Sequence, residues 1–578
     1  MSQHSAEPKI DVQPWERALL MLGAAWLIAA RLFHQPWAEP SVELGATASV
    51  IGLVILTAVR FFSLPRKSYL RLRAADVILL FLLAVGLIVP LLGEAFAVRT
   101  IGGIAQIILA ARILAEVAPL PRKLSVLGWN PAFVFVGSFV VLIGTGAAFL
   151  MLPECRVQAD SGERLGTDWL TALFTSTSCS CVTGLAVVDT SAHWSRPGLV
   201  VMMLLIQVGG LGVMTFGAFF ALGSQRGFFV REGVFMGSLL EQDDRAAVRR
   251  LLRSVLIFTI ASEAVGAVLM TNLTPGRPLG ERLFNGLFHS VSAFCNAGFA
   301  LFPRNLEGLE LRFEVWLVIA GLIVVGGLGF DVLRNTFQTV RDRIIPPPAT
   351  IRRTRLSLTS KLVLATTACL LVSGTLGFLW FERNDTLRDA SPAARVAHAW
   401  FQSVTCRTAG FNTLDFGKMH PASKFFAIIL MFIGASPGST GGGVKTVSFA
   451  LTALAAWSIL RRRESVEVFG RSVPDGLVKR AALVVAVALA IVIGGTMLLV
   501  CVENRPALFL DHLFETTSAF ATVGLSTGIT ADLQPASKLT LIALMFIGRV
   551  GPITLLLALT KTKPAAKYEY PLERVALG

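Results

Sequence analysis

Four short segments of the chain combine residue types suited to holding a bare cation. Each is a Ser/Thr-rich amphipathic run that closes on one glycine followed by Leu or Phe: FTSTSCSCVTGL (174–185), FHSVSAFCNAGF (288–299), FQSVTCRTAGF (401–411) and FETTSAFATVGL (514–525). The glycines Gly184, Gly298, Gly410 and Gly524 are 114, 112 and 114 residues apart. A period this regular marks fourfold internal duplication. Glycine tolerates positive φ without steric cost, so the stretch around it can turn its carbonyls to one side. Rings of such carbonyls replace the water around a dehydrated cation. Nothing in these segments suits an anion.

The elements that must position these glycines are membrane helices. Apolar residues make up 54% of the chain, charged ones 15%, and mean hydropathy is +0.67, which a soluble protein of 578 residues could hardly sustain. Runs long enough to span a bilayer, roughly 20 residues, fall near 132–152, 198–222, 251–272, 315–333, 359–381, 423–459, 480–502 and 537–560. Shorter ones precede them near 17–33, 46–62, 76–97 and 101–117. Each glycine segment sits between two long runs, so the unit is helix, re-entrant hairpin, helix. Short helices are expected at 168–178, 282–294, 393–405 and 510–521, their C-terminal, dipole-negative ends pointing at a common axis. A re-entrant segment persists only where it is buried in protein or lines a wet cavity.

The fold class expected is therefore an all-α integral membrane protein of four tandem helix–pore loop–helix repeats in pseudo-fourfold arrangement, with about four extra N-terminal helices. The expected divisions are 1–16 (N-terminal segment), 17–125 (extra helices), 126–230, 231–345, 346–465 and 466–562 (repeats), and 563–578 (tail).

The net charge of +15 invites a nucleic-acid reading, which its distribution refuses. Most Lys and Arg fall in the connections 60–73, 226–253, 334–361, 461–480 and 561–574, whereas 154–168 and 382–395 mix signs. The positive-inside rule makes the basic side cytoplasmic, so both termini are expected there and the hairpins open outward. The first residues, MSQHSAEPKIDVQPWE, lack the basic start of a cleavable signal peptide. The seven cysteines show neither metal spacing nor a disulfide framework and read as packing residues.

The segments CVTGLAVVDT, SAFCNAGFALF, VTCRTAGFNTLDF and AFATVGLSTG closely resemble the four pore loops of the Trk/Ktr/HKT superfamily of potassium transporters, nearest to its KtrB and TrkH membrane subunits. The resemblance runs from about residue 130 to the C-terminus. It implies a homodimer with one pore per subunit and passive K+ uptake in a cell (inner) membrane. Filter residues are then Val182, Thr183, Gly184, Asn296, Ala297, Gly298, Thr408, Ala409, Gly410, Thr522, Val523 and Gly524, with K+ at the carbonyls of Thr183, Ala297, Ala409 and Val523. Plant relatives that favour Na+ often carry Ser at the first filter position. Gly184 here argues for K+.

The second helix of the third repeat should be broken, because MFIGASPGSTGGGVKTVSF (431–449) holds five glycines and a proline in mid-span. Interior glycine costs about 1 kcal/mol and proline about 3 relative to alanine. The match of GSTGGGVKT to a phosphate-binding loop fails, since Val444 separates glycine from lysine and no strand precedes it. In the resembled family this segment obstructs the pore. That role carries to Gly434, Ser436, Pro437, Gly438, Ser439, Thr440, Gly441, Gly442, Gly443 and Lys445 within 434–446. The second helices align as VGGLGVMT, VGGLGFDV, IGASPGST and IGRVGPIT, which places Gly209, Gly326, Gly434 and Gly548 at one depth and Arg549 beside the broken segment. A mid-membrane arginine costs about 2.5–3.5 kcal/mol unless it is partnered. Oxygens of 435–440 are its natural partners, and the resemblance makes it part of the gate.

Glu263, Asp331 and Glu515 are further embedded carboxylates, and His289, His398 and His512 read as packing or cap residues. The chain shows no βαβ run, so regulation is expected from a cytosolic ring of RCK-type nucleotide-binding subunits, with the basic loops 226–253 and 334–361 as docking surfaces. No cofactor is expected in this chain. A membrane enzyme would need paired carboxylates or a nucleophile with its base at one rim, and none is evident. The alternatives kept open are a K+/Na+ or K+/H+ symporter using Glu263 or Asp331, and a Na+-permeable relative.

Overall fold

The structure, a computed structural model, describes residues 131–157, 166–223, 245–346, 353–463, 465–552 and 554–555. The helices expected within 17–125, both terminal segments, residues 226–244 of the basic connection 226–253 and residues 347–352 of the basic connection 334–361 lie outside the described residues. The chain divides into two units, Met1–Trp129 and Asn130–Gly578, and all described residues belong to the second.

One order of elements recurs four times: a long apolar helix, a short helix, a glycine loop and a second apolar helix. The long helices are α1 (Pro131–Leu150), α4 (Arg245–Leu269), α8 (Leu358–Phe381) and α12 (Asp475–Glu503). The short helices are α2 (Trp169–Ser180), α5 (Leu279–Phe294), α9 (Pro392–Thr405) and α13 (Phe509–Ala521), within three residues of the bounds expected from sequence. Side-chain caps fix where several begin. Asp168 accepts from the Leu170 N–H at 3.1 Å, and Ser391 accepts from Ala394 at 3.2 Å ahead of Pro392. The second helices are α3 (Arg196–Gly223), α6 (Ala320–Leu328, entered through a π turn at Glu314–Ile319), α7 (Phe330–Ile344), α10 (Pro421–Phe432), α11 (Thr446–Leu460) and α14 (Pro535–Val550). Among the described residues, Arg253–Leu273, Leu358–Phe381 and Asp475–Glu503 are long and apolar enough to cross a membrane, and α6 with α7 forms a bent fourth candidate.

Within each unit the short helix is pinned to the long one by a hydroxyl. Ser176, Ser290 and Ser403 donate to the carbonyls of Ile143, Glu263 and Leu371 at 2.7, 2.7 and 2.8 Å. In the fourth unit Thr516 bonds Thr496 at 2.7 Å. Gly146, Gly266 and Gly374 sit against those serine hydroxyls, so any side chain there would displace the short helix. Small residues at helix crossings in this way let backbones approach closely in a membrane bundle.

Two second helices are broken, where the sequence signalled one. The run 423–459 divides into α10 and α11 around a non-helical segment, as its glycines and proline indicate. The run 315–333, expected as one span, instead bends by 102° between α6 and α7. Gly329 makes the bend with φ +82°, and the Phe330 N–H released from the helix donates to the Gly438 carbonyl at 3.3 Å. The two breaks therefore satisfy each other's backbone groups. A hairpin unforeseen in an all-α reading, β1 (Val466–Val468) and β2 (Arg471–Val473), follows α11. It turns at Phe469 and Gly470, both at positive φ, and packs Val466, Val468 and Val473 with Leu362, Leu451 and Ala481.

Candidate ion site

The four glycine loops share an unusual backbone. Gly184, Gly298, Gly410 and Gly524 have φ of +97, +72, +81 and +90°. Two residues before each, Val182, Asn296, Thr408 and Thr522 are also left-handed, at +55, +61, +67 and +52°. In an ordinary extended strand successive residues face opposite ways. Left-handed residues at every second position cancel that alternation. Such conformations cost roughly 1–2 kcal/mol each outside glycine and persist only where surroundings impose them.

The imposing contacts come from the short helices. The N–H groups of Thr183, Ala297 and Val523 donate to the carbonyls of Ser178, Ser292 and Ser518 at 2.7, 2.7 and 2.8 Å. The third loop is one residue shorter, and Ala409 accordingly bonds Thr405 at 3.0 Å. Gly184 and Gly524 also donate to the hydroxyls of Ser178 and Ser518, both at 3.0 Å. In the other two units the matching hydroxyls, Ser292 and Thr405, donate to the carbonyls of Phe299 and Phe411 at 2.9 and 2.5 Å. These four hydroxyls belong to the site and escaped the list of filter residues. The one signal of them in the sequence is a Ser or Thr six residues before the glycine, or five in the third loop.

The loops are neighbours in a closed order. A side chain at Gly184 would strike the Ala297 carbonyl, at Gly298 that of Ala409, at Gly410 that of Val523, and at Gly524 that of Thr183. The sequence of contacts returns to its start. All twelve residues named as filter positions from sequence therefore lie in one buried or nearly buried cluster, joined further by the Asn296 amide reaching the Thr408 hydroxyl at 3.4 Å.

The segment between α10 and α11 packs directly against this cluster. Its ends pair where Gly434 donates to Val444 at 2.9 Å and Ala435 to Gly442 at 3.4 Å. Ser436 donates to the Gly327 carbonyl at 3.1 Å, and the Thr440 hydroxyl contacts the carbonyls of Phe294 and Gly326 at 3.3 and 3.2 Å. Gly442 donates to the Thr522 hydroxyl at 3.1 Å, Gly441 lies against that of Thr408, and Gly443 against Ala521. The Pro437 carbonyl rests on Gly329. Ser439 bonds Ser436, and Lys445 donates to the Gly441 carbonyl at 2.6 Å. Non-helical backbone between two apolar helices thus has its polar groups paired inside the protein.

Arg549, buried near the end of α14, donates to the Thr440 carbonyl and to those of Gly209 and Gly210 on α3. The first partner lies within the expected 435–440. The α3 carbonyls were not anticipated, because they become available only by the close approach of two helices 340 residues apart in sequence. Gly209, Gly326 and Gly548 do share one environment, each pressed on a carbonyl in the last turn of a short helix (Ser180, Phe294 and Phe520). Gly434 departs from that alignment and meets the Gly442 carbonyl of its own segment, since its helix is interrupted there.

A cavity of about 290 Å³ opens over Gly184 and Gly298 on the side away from this segment, lined also by Asp189, Thr190, Phe299 and Asn305. Asn305 donates to the Gly410 carbonyl at 3.4 Å. Nearby Glu307 accepts from Asn412 at 3.0 Å, and burial, together with the charge of Asp415, holds its carboxyl above the usual carboxylate range. The remaining titratable candidates are dispersed. Glu263 accepts from Gln207 at 3.2 Å and contacts Cys295, Asp331 is exposed at the start of α7, and His398 shares the Thr413 hydroxyl at 3.0 Å.

Bundled, partly broken apolar helices around four clustered glycine loops define a multi-pass membrane protein. The profile of the TrkH family, described as a cation transport protein, matches residues 116–570, and the chain belongs to that family. It is 36% identical over 449 residues to the Ktr system potassium uptake protein B of Bacillus subtilis, covering 78% of this chain and 96% of that one. The potassium/sodium uptake protein NtpJ of Enterococcus hirae is 34% identical, at 78% and 97% coverage. The fold matches the crystal structure of the potassium transporter TrkH from Vibrio parahaemolyticus with a TM-score of 0.57 at 17% identity, covering 95% of this chain and 98% of that one.

Proposed function

We propose that this protein is a potassium uptake transporter of the membrane that conducts passively, the four glycine loops acting as its selectivity filter. The closed order of contacts among the loops is the observation that carries the reading. It groups the carbonyls of Thr183, Ala297, Ala409 and Val523 at the C-terminal ends of four short helices. Carbonyl oxygens and four dipole-negative helix ends favour a dehydrated cation over an anion. Residues 434–446 and Arg549 act as the gate: the segment lies against the loops, and the guanidinium clasps it to α3. In this reading the cavity beside Asp189 faces outward, both termini are cytoplasmic, two copies form a dimer, and an RCK-type ring works the gate from the cytosol. The symporter alternative loses ground because Glu263 is engaged by Gln207 and Cys295 and Asp331 lies exposed beyond the α6–α7 bend.

Rubidium influx into proteoliposomes containing the protein alone tests the gate. Arg549→Ala should raise influx by about an order of magnitude, the factor given by removing about 1.4 kcal/mol of repulsion on the ion path. Equal influx through wild type and variant would remove Arg549 from the gate. Loss of influx in the variant, with the protein still folded, would assign it a purely structural role.

A further inference from the structure

Behind each glycine loop a polar side chain occupies one equivalent place, directly after the first phenylalanine of the segment: Thr175, His289, Gln402 and Glu515. It lies nine residues before the glycine in three units and eight before it in the shorter third. Three of these chemically different side chains reach the same target, the strand that leaves the glycine. His289 is wholly buried. Its Nδ1 donates to the Asn285 carbonyl at 2.7 Å, which leaves Nε2 to accept the Leu301 N–H at 3.2 Å. Gln402 donates to the Thr413 hydroxyl at 3.4 Å. Glu515, also wholly buried, accepts from the Ser526 hydroxyl at 2.6 Å, the Thr527 N–H at 3.0 Å and the Thr530 hydroxyl at 2.8 Å.

Three residues further along each short helix, and so on the same helix face, stand Ser292, Thr405 and Ser518. Those hydroxyls hold the loop close to the glycine itself. The outgoing strand joins no sheet, so these side chains stand in for a ladder. Three of the four loops are thus held at two points from one helix face, and the clamp with most bonds is in the fourth unit.

We propose that Glu515, with His289 and Gln402, forms a positioning belt that sets the span of the carbonyl ring and thereby which alkali cation passes. The proposal rests on the reading of the loops as a cation filter. Loosening the strand beyond Gly524 frees the Val523 carbonyl to close on a smaller ion, so the belt acts on Na+ rejection more than on K+ passage. Neither the glycine pattern nor helix periodicity marks these residues, because what they share is a destination rather than a residue type.

The test is rubidium influx into proteoliposomes with Na+ as competitor, for wild type, Glu515→Leu, Glu515→Gln and the double variant Ser526→Ala/Thr530→Val. The double variant removes two clamp contacts from the loop side and leaves the helix intact, should the leucine variant fail to fold. Glu515→Leu and the double variant should lose Rb+ over Na+ preference by about fivefold or more, the equivalent of one net hydrogen bond. Glu515→Gln, which keeps the shape and an acceptor for Thr527, should stay within about twofold of wild type. Wild-type preference in the double variant overturns the belt, as does a glutamine variant as impaired as the leucine one, which would assign the effect to charge. A wild-type protein without cation preference would instead bring down the filter reading, and the belt with it.

Discussion

At the scale of single residues, Glu307 and the loop glycines lead to different predictions. Glu307 carries a carboxyl held above its ordinary range by burial and by Asp415. Acidification should therefore neutralise it ahead of an ordinary glutamate. If the glycine loops conduct cations as proposed, less negative charge near Asn412 means less cation accumulation there, and Rb+ influx should fall by roughly twofold to tenfold. Glu307→Gln should flatten that part of the pH profile. Because the fold favours its protonated form, this carboxyl stabilises below its unfolded pKa and loses that contribution as pH rises through the raised folded value. Glu307→Gln should accordingly be neutral or slightly stabilising at neutral pH, read by thermal unfolding in detergent. The glycines were legible in the sequence since no other residue takes φ near +90° beside a neighbouring carbonyl so cheaply. The hydroxyls of Ser178, Ser292, Thr405 and Ser518 were not, since serine and threonine recur throughout these helices and only geometry separates clamps from ordinary packing.

At the scale of elements, sequence punctuation worked where it was dense. Five glycines and a proline within 434–443 announced a break. A single glycine at 329, inside the apolar run VGGLGF, announced nothing, although the chain turns there by 102°. The reason is that Gly326 and Gly327 beside it remain helical, so composition alone cannot show which glycine carries positive φ. Gly329→Ala should destabilise the protein by about 1–2 kcal/mol from backbone strain alone, and by more because its methyl would press on the Pro437 carbonyl. Thermal unfolding in detergent would register the change. An unaltered midpoint would show that the bend relaxes without cost. The same variant should disturb the segment between α10 and α11, since Phe330 and Gly438 share a hydrogen bond across the two breaks.

At the scale of the whole molecule, the even spacing of four glycines predicts fourfold duplication. Its consequence in space, a cycle of loop contacts that returns from Gly524 to Thr183, needed the fold. Asymmetry enters at three places: the shorter third loop, the broken helices of the second and third units, and Arg549 in the fourth. The broken helices and Arg549 meet one another, through Gly329 against Pro437 and Arg549 on Thr440. The most direct test of the ring is the competition of Na+ against Rb+ influx in proteoliposomes, comparing wild type with Gly184→Ser. That serine would place a side chain at φ +97° against the Ala297 carbonyl. In wild type, K+ should suppress Rb+ influx and Na+ should hardly touch it, with the distinction largely lost in the folded variant. Identical competition by K+ and Na+ in wild type, or an unchanged preference in Gly184→Ser, would contradict the proposed filter.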